Sequence, residues 1–171
     1  LLTFDDGFKD HLDAAKILKD LGINKATFYI PTLPYLKNEI LHVHNAHLVV
    51  SNQGEKALEL LFDACENLGI SIVDHDNYIL EKQNYKDAYS RFDNNSKIKE
   101  FKRLINFYGS IGTRDILLNE IIKKLEIKKT AKDLYLTLNE IRKISEMGFE
   151  IGSHGETHPL LSRLDKKSQN A

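Results

Sequence analysis

Phe149-Glu150-Ile151-Gly152-Ser153-His154-Gly155-Glu156-Thr157-His158-Pro159 joins a short apolar run to two histidines, and the rest of the chain is read outward from this junction. Phe149 to Ile151 predicts the end of a strand, which Gly152 and Ser153 break. His154 and His158 are four positions apart, a spacing at which two neutral imidazoles can reach one metal ion. Pro159 biases the residue before it away from helix. The histidines therefore belong to a loop at the strand end, with Pro159 opening a helix after it. Two histidines alone make a poor site, because a hydrolytic metal usually takes a third protein ligand and keeps an open position.

The third ligand is expected at the other end of the chain. Leu1-Leu2-Thr3-Phe4 is an apolar run of strand type, followed at once by Asp5-Asp6-Gly7. Adjacent carboxylates at a strand end are costly unless something uses their charge. From Phe8 to Leu21, apolar Leu12, Ala15, Ile17, Leu18 and Leu21 fall close to helical spacing, with Gly22 as the stop. Ala26 to Ile30 is a strand of buried type, ended by Pro31 and Pro34. This β-α-β order implies parallel strands. Both charged clusters then lie just past the carboxyl end of a strand, where α/β folds place their sites.

Thr3-Phe4-Asp5-Asp6-Gly7, taken with Ser153-His154-Gly155-Glu156-Thr157-His158-Pro159, resembles the first two motifs of the polysaccharide deacetylases, the NodB-homology or carbohydrate esterase family 4 group. Lys25 to Ile30 resembles that family's second strand, and Leu136 to Gly152 its helix and strand leading into the histidine motif. Leu160 to Leu164 resembles the family's segment just past that motif. The resemblance covers the two ends of the chain and not the middle. It implies an α/β fold, part of a distorted (β/α) barrel. It implies that Asp6, His154 and His158 hold one divalent metal, most often zinc, and that Asp5 is the general base on a metal-activated water. Ser153 and Thr157 would brace the histidine loop. The implied reaction removes the N-acetyl group of an acetylated amino sugar or polysaccharide and releases acetate. The family's later motifs are absent: an arginine supporting the base, a backbone amide for the oxyanion and an acid histidine. Any acid within this chain would come from His42, His44 and His47 or from His75.

The gap between the motifs is much longer than the family's. Residues 34–132 are read as a mostly helical insertion, a lid or partner surface, and residues 1–33 with 133–171 as the deacetylase-like portion. Within the insertion, Gln53 to Leu68, Asn77 to Phe92, Ser96 to Tyr108 and Thr113 to Leu125 are expected helices, the last with Ile116, Leu117, Ile121 and Leu125 as its apolar positions. Ile70 to Val73 is an expected short strand, and Asp74-His75-Asp76 a polar turn capping the next helix. Leu41 to Val50 reads as a half-exposed strand or turn, with His42 and His44 on one face and His47 on the other. A second metal site or a proton donor is the functional alternative there. Cys65 lies in a helical pattern as a small core residue. The lysines around 123–129 read as a solvated helix end, and the aromatic residues of the middle as core contacts.

The chain of 171 residues has a formal net charge of -1, one Cys and an ordinary apolar fraction, so one domain plus an insertion is expected. No basic excess supports a nucleic-acid partner. No window suits a membrane span and no signal pattern opens the chain, so the expected location leans to the cytoplasm, in surface-polysaccharide synthesis. A start inside a strand without Met, and an end inside an expected helix, suggest a piece of a longer protein. Two other functions stay open: a hydrolase of another amide bond on the same scaffold, and a non-catalytic carbohydrate-binding relative.

Overall fold

The computed structural model describes residues 1–72, 95–108, 111–159, 166, 167 and 169. It divides into two compact units, Leu1–Leu41 with Lys129–Ala171, and His42–Lys128. No helix among the described residues is long and apolar enough to cross a membrane.

The first unit is built on three parallel strands, β1 (Leu2–Phe4), β2 (Ala26–Ile30) and β3 (Glu150–Ser153), with β2 in the centre. Register pairs Phe4 with Phe28 and Phe28 with Ile151. A central parallel strand is covered on both faces, which is why Ala-Thr-Phe-Tyr-Ile lacks polar alternation and only Tyr29 is half-exposed. Helix α1 (His11–Asp20) crosses between β1 and β2 and buries Ala15 and Leu18. Its Ile17 and Leu21 are exposed, so the apolar stripe is narrower than the sequence pattern. Phe28 is fully buried and stacks on Phe4 at 4.7 Å. Removing such a side chain from water is worth about 1.5–3 kcal/mol.

Three short helices complete this unit: α2 (Leu33–Leu36), and α7 (Ala131–Leu134) and α8 (Leu138–Glu146) on the other side of the second unit in sequence. Thr137 caps α8 in a reciprocal box. The Glu140 amide donates to the Thr137 hydroxyl at 3.3 Å, and the Thr137 amide to the Glu140 carboxylate at 2.7 Å. The α7–α8 link runs antiparallel beside the Asp-Asp-Gly turn. The Lys9 amide donates to the Leu134 carbonyl and the Leu136 amide to the Gly7 carbonyl, both at 2.9 Å.

The second unit is helical: α3 (His42–Gln53), α4 (Lys56–Leu68), α5 (Ser96–Arg103) running into a π-helical turn at Leu104–Tyr108, and α6 (Ile111–Lys124). Its core contains Val49, Leu61, Phe101, Ile105, Leu117 and Ile121. On α6, Leu118 is buried and Ile116 exposed, against the expected apolar set. Asn95 caps α5 by accepting from the amides of Lys97 and Ile98 at 2.9 and 3.1 Å. Cys65 is half-buried on α4, and burial pushes its thiol up.

Four expectations differ from the structure. Leu41 to Val50 is not extended: His42, Ala46 and Val49 share a buried helical stripe, spaced to bury one side of α3. Ile70 to Ile72 forms no strand, and the helix expected from Gln53 starts afresh at Lys56 after Gly54 turns left-handed. The expected insertion boundaries, 34 and 132, differ from those of the two units because α2 and the start of α7 belong to the first. The Leu41 amide donates to the Tyr135 hydroxyl at 3.0 Å within that unit. The sheet has three parallel strands among the described residues, which makes the class α/β. Val73, Asp74, His75, Asp76, the whole of the helix expected over Asn77 to Phe92, and Leu160 to Leu164 lie outside the described residues.

Candidate metal centre

Asp6 is the second residue after β1, and the chain turns there through two left-handed residues, Asp6 at φ 75° and Gly7 at φ 63°. Aspartate tolerates this region better than most side chains. At Gly7 a side chain would be strained by the positive φ, and a Cβ there would also lie a tight 3.1 Å from Ile30 Cδ1. The turn holds the Asp6 carboxylate beside the end of β3.

The histidine loop is fixed by backbone bonds. The His154 amide donates to the Ile30 carbonyl at 2.9 Å, prolonging the β2–β3 ladder. The amides of Thr32 and Leu33 donate to the carbonyls of Gly155 and Glu156 at 3.0 and 3.1 Å, which ties the loop to the start of α2. The Ser153 hydroxyl accepts from the Gly155 amide at 3.3 Å and so braces the turn after β3. Thr157 is half-buried in the loop, and His158 takes φ 55°. Gly152 pairs with Tyr29 across the ladder, where a Cβ would come within 2.5 Å of the tyrosine ring.

These constraints bring three side chains together. Asp6 Oδ1 lies 3.3 Å from His154 Nε2 and 3.5 Å from His158 Nε2. The three ligand atoms all fall within 4.8 Å of one another. A tetrahedral ion with ligand bonds of about 2.0–2.1 Å separates its ligand atoms by roughly 3.3–3.4 Å. The donor set, two imidazoles and one carboxylate, suits a divalent ion in chemistry, and the two separations from Asp6 match this spacing. It suits zinc and other first-row divalent ions alike. Side-chain exposures are 21% for Asp6, 26% for His154 and 32% for His158, while the Asp6 Oδ1 atom itself is buried.

Asp5 is exposed next to Asp6 and is not one of the three grouped residues. His42 and His44 are buried and His47 exposed on α3, and none of them joins the group.

Two neighbours of the group escaped the sequence reading. His11 opens α1 with Phe4, Phe8 and Phe28 around its ring at 5.6–5.9 Å. Burial lowers its pKa, against the opposing pull of Asp10, Asp6 and Asp5. Its one signal in sequence is its place at the first helical position after Asp-Asp-Gly. Tyr35 sits on α2 with its hydroxyl 3.5 Å from where a Gly7 Cβ would be. Burial, aided by the Glu140 charge, pushes the phenol up to about 12, so it stays protonated as a donor. Compared with known proteins, the chain matches no family model, no curated protein and no solved structure.

Proposed function

We propose that this chain carries the metal-binding part of a hydrolase that removes N-acetyl groups from an amino sugar or polysaccharide. The observation behind this reading is the meeting of Asp6 with His154 and His158 from opposite ends of the sequence. The two motifs' resemblance to the polysaccharide deacetylases supplies the reaction class, and the three parallel strands are on this reading one sector of a distorted (β/α) barrel. Asp6, His154 and His158 hold the divalent ion, zinc by first choice. When bound, that ion lowers the pKa of a water and polarises the acetamide carbonyl. Asp5, exposed and free of the ligand group, accepts the proton as water adds to the acyl carbon. The C–N bond then breaks as the proton held by Asp5 passes to the leaving nitrogen, acetate leaves, and the sugar keeps a free amine.

The test combines metal content and acetate release. Elemental analysis should give about one zinc per chain, lost in Asp6→Ala. This chain lacks the family's later motifs and need not turn over by itself, so acetate release from N-acetylglucosamine oligomers is read on a longer protein that supplies them, and should be lost there in Asp5→Ala. A folded wild type without metal sinks the proposal. A metal-bound longer protein that binds the oligomer and releases no acetate points instead to a non-catalytic carbohydrate-binding relative.

A further inference from the structure

We propose that Tyr29 is a positioning residue of the candidate metal centre: its ring, seated over Gly152, holds the His154 imidazole with Nε2 toward Asp6. The inference rests on the metal-binding reading above and deepens it, by naming what keeps one ligand in place.

The seat is built by the missing side chain of Gly152. Residues two apart on a strand line one face. The bond from the His154 amide to the Ile30 carbonyl prolongs β3, so residue 152 is the position that would flank His154 along that face. Gly152 offers no side chain there, and Tyr29, its partner on the central strand, takes the space. A Cβ on Gly152 would lie 2.5 Å from Tyr29 Cδ1 and 2.6 Å from Cε1. Thr27, on the same face of β2, is fixed in turn, since its hydroxyl donates to the Glu150 carboxylate at 3.0 Å.

From this seat the Tyr29 ring reaches His154, with centroids 6.4 Å apart and planes at 45°. That separation falls within the roughly 4.5–7 Å of attractive ring pairs. The other ring against His154 among the described residues is His158 at 4.8 Å, itself a candidate ligand carried on the loop. Tyr29 is thus the contact supplied by the sheet. A metal-bound histidine usually donates its second ring N–H to a carboxylate, a carbonyl or water, which fixes the ring. His154 turns Nε2 to Asp6 at 3.3 Å, and no group among the described residues hydrogen-bonds to its Nδ1. Ring packing then takes over the orienting task. The buried cluster of this unit takes Ala26, Phe28 and Ile30 from β2 and leaves Tyr29 half-exposed, so the ring is not there to fill the core.

The experiment is zinc affinity by chelator competition on the full chain, for the wild type, Tyr29→Ala and Tyr29→Phe, where denaturation curves show all three folded. Tyr29→Ala should weaken zinc binding about 10–100-fold, the usual cost of losing a group that orients a metal-bound histidine. Tyr29→Phe keeps the ring and should bind as the wild type does. Equal affinity of the wild type and the alanine variant overturns the proposal. So does a phenylalanine variant as weak as the alanine one, which would place the effect in the hydroxyl. A second measurement needs no metal. Three-bond couplings of the His154 side chain should report one rotamer in the wild type and in Tyr29→Phe, and an average over several in Tyr29→Ala. Couplings that the alanine variant leaves unchanged overturn the proposal. The two readings fail separately. A wild type that takes up no zinc, and whose His154 rotamer is lost with the Tyr29 ring, removes the deacetylase reading alone. Zinc bound equally well with and without the ring removes the role of Tyr29 alone.

Discussion

Asp6 Oδ1 and His154 Nε2 stand 3.3 Å apart, although nearly the whole sequence lies between the two residues. Their approach depends on the left-handed turn at Asp6-Gly7 and on the ladder bond from His154 to Ile30. Replacing Asp6 by Asn keeps the size and removes the charge that two neutral imidazoles need beside a dication. Zinc affinity should fall by more than about 100-fold, beyond the 10–100-fold typical of losing a group that only supports a ligand. A chelator competition titration reads this directly. In the wild type, adding chelator should lower Tm, because an ion that binds only the folded state stabilises it by mass action. In Asp6→Asn the chelator should leave Tm unmoved.

Gly152 and Tyr29 face each other across β2 and β3, and the Tyr29 ring lies 6.4 Å from the ring of His154. Gly152→Ala places a methyl within 2.5 Å of the Tyr29 ring, so the tyrosine must swing away. Overpacking of this kind costs about 1–3 kcal/mol, measurable by urea denaturation. Combining it with Tyr29→Ala should recover most of that cost, since the clash then has no second party. Additive losses would show that Gly152 is needed for a different reason.

The grouping of Asp6 with His154 and His158 was legible in the sequence because the three sit in two short motifs at strand ends, and a strand end fixes where a side chain emerges. The β-α-β order was legible for a similar reason: Ala26 to Ile30 is apolar without alternation, as a central parallel strand must be. Leu41 to Val50 was not. His42 and His44 fit one face of a strand, while His42, Ala46 and Val49 fit one face of a helix, and only packing within the second unit decides between them. Tyr35 and His11 were missed because their significance lies in contacts with residues remote from them in sequence or set by the fold. Neither the approach of Tyr35 to Gly7 nor the aromatic cage of His11 has a local pattern. The edge of the first unit was misplaced for the same reason, since the bond from the Leu41 amide to the Tyr135 hydroxyl is long-range.

Tyr35 and Tyr135 predict opposite responses to the same substitution. The Tyr135 hydroxyl accepts from the buried Leu41 amide, so Tyr135→Phe leaves that donor without a partner. The expected loss is about 1–3 kcal/mol. The Tyr35 hydroxyl has no such bond among the described residues, so Tyr35→Phe should cost nothing or raise stability slightly. Chemical denaturation of both variants without sugar gives the comparison. Equal losses in the two would contradict the assignment of Tyr35 as the unused phenol.

His11 predicts how stability depends on pH. Burial among Phe4, Phe8 and Phe28 lowers its pKa in the folded state below the ordinary value near 6.5, despite the nearby carboxylates of Asp10, Asp6 and Asp5. The unfolded chain therefore takes up a proton at His11 as pH falls through about 6.5, before the folded chain does. Extra protons on the unfolded state favour unfolding. The contribution of His11 to stability is thus full above the unfolded value and is lost as pH drops toward the folded one. His11→Phe keeps an aromatic ring in the cage and has nothing to titrate. Measured with chelator present, so that metal binding does not enter, the wild-type urea midpoint should fall more steeply than that of His11→Phe between pH 7.5 and 5.5. Parallel curves would mean that His11 is protonated equally well in both states, and that its aromatic cage does not exclude the charge.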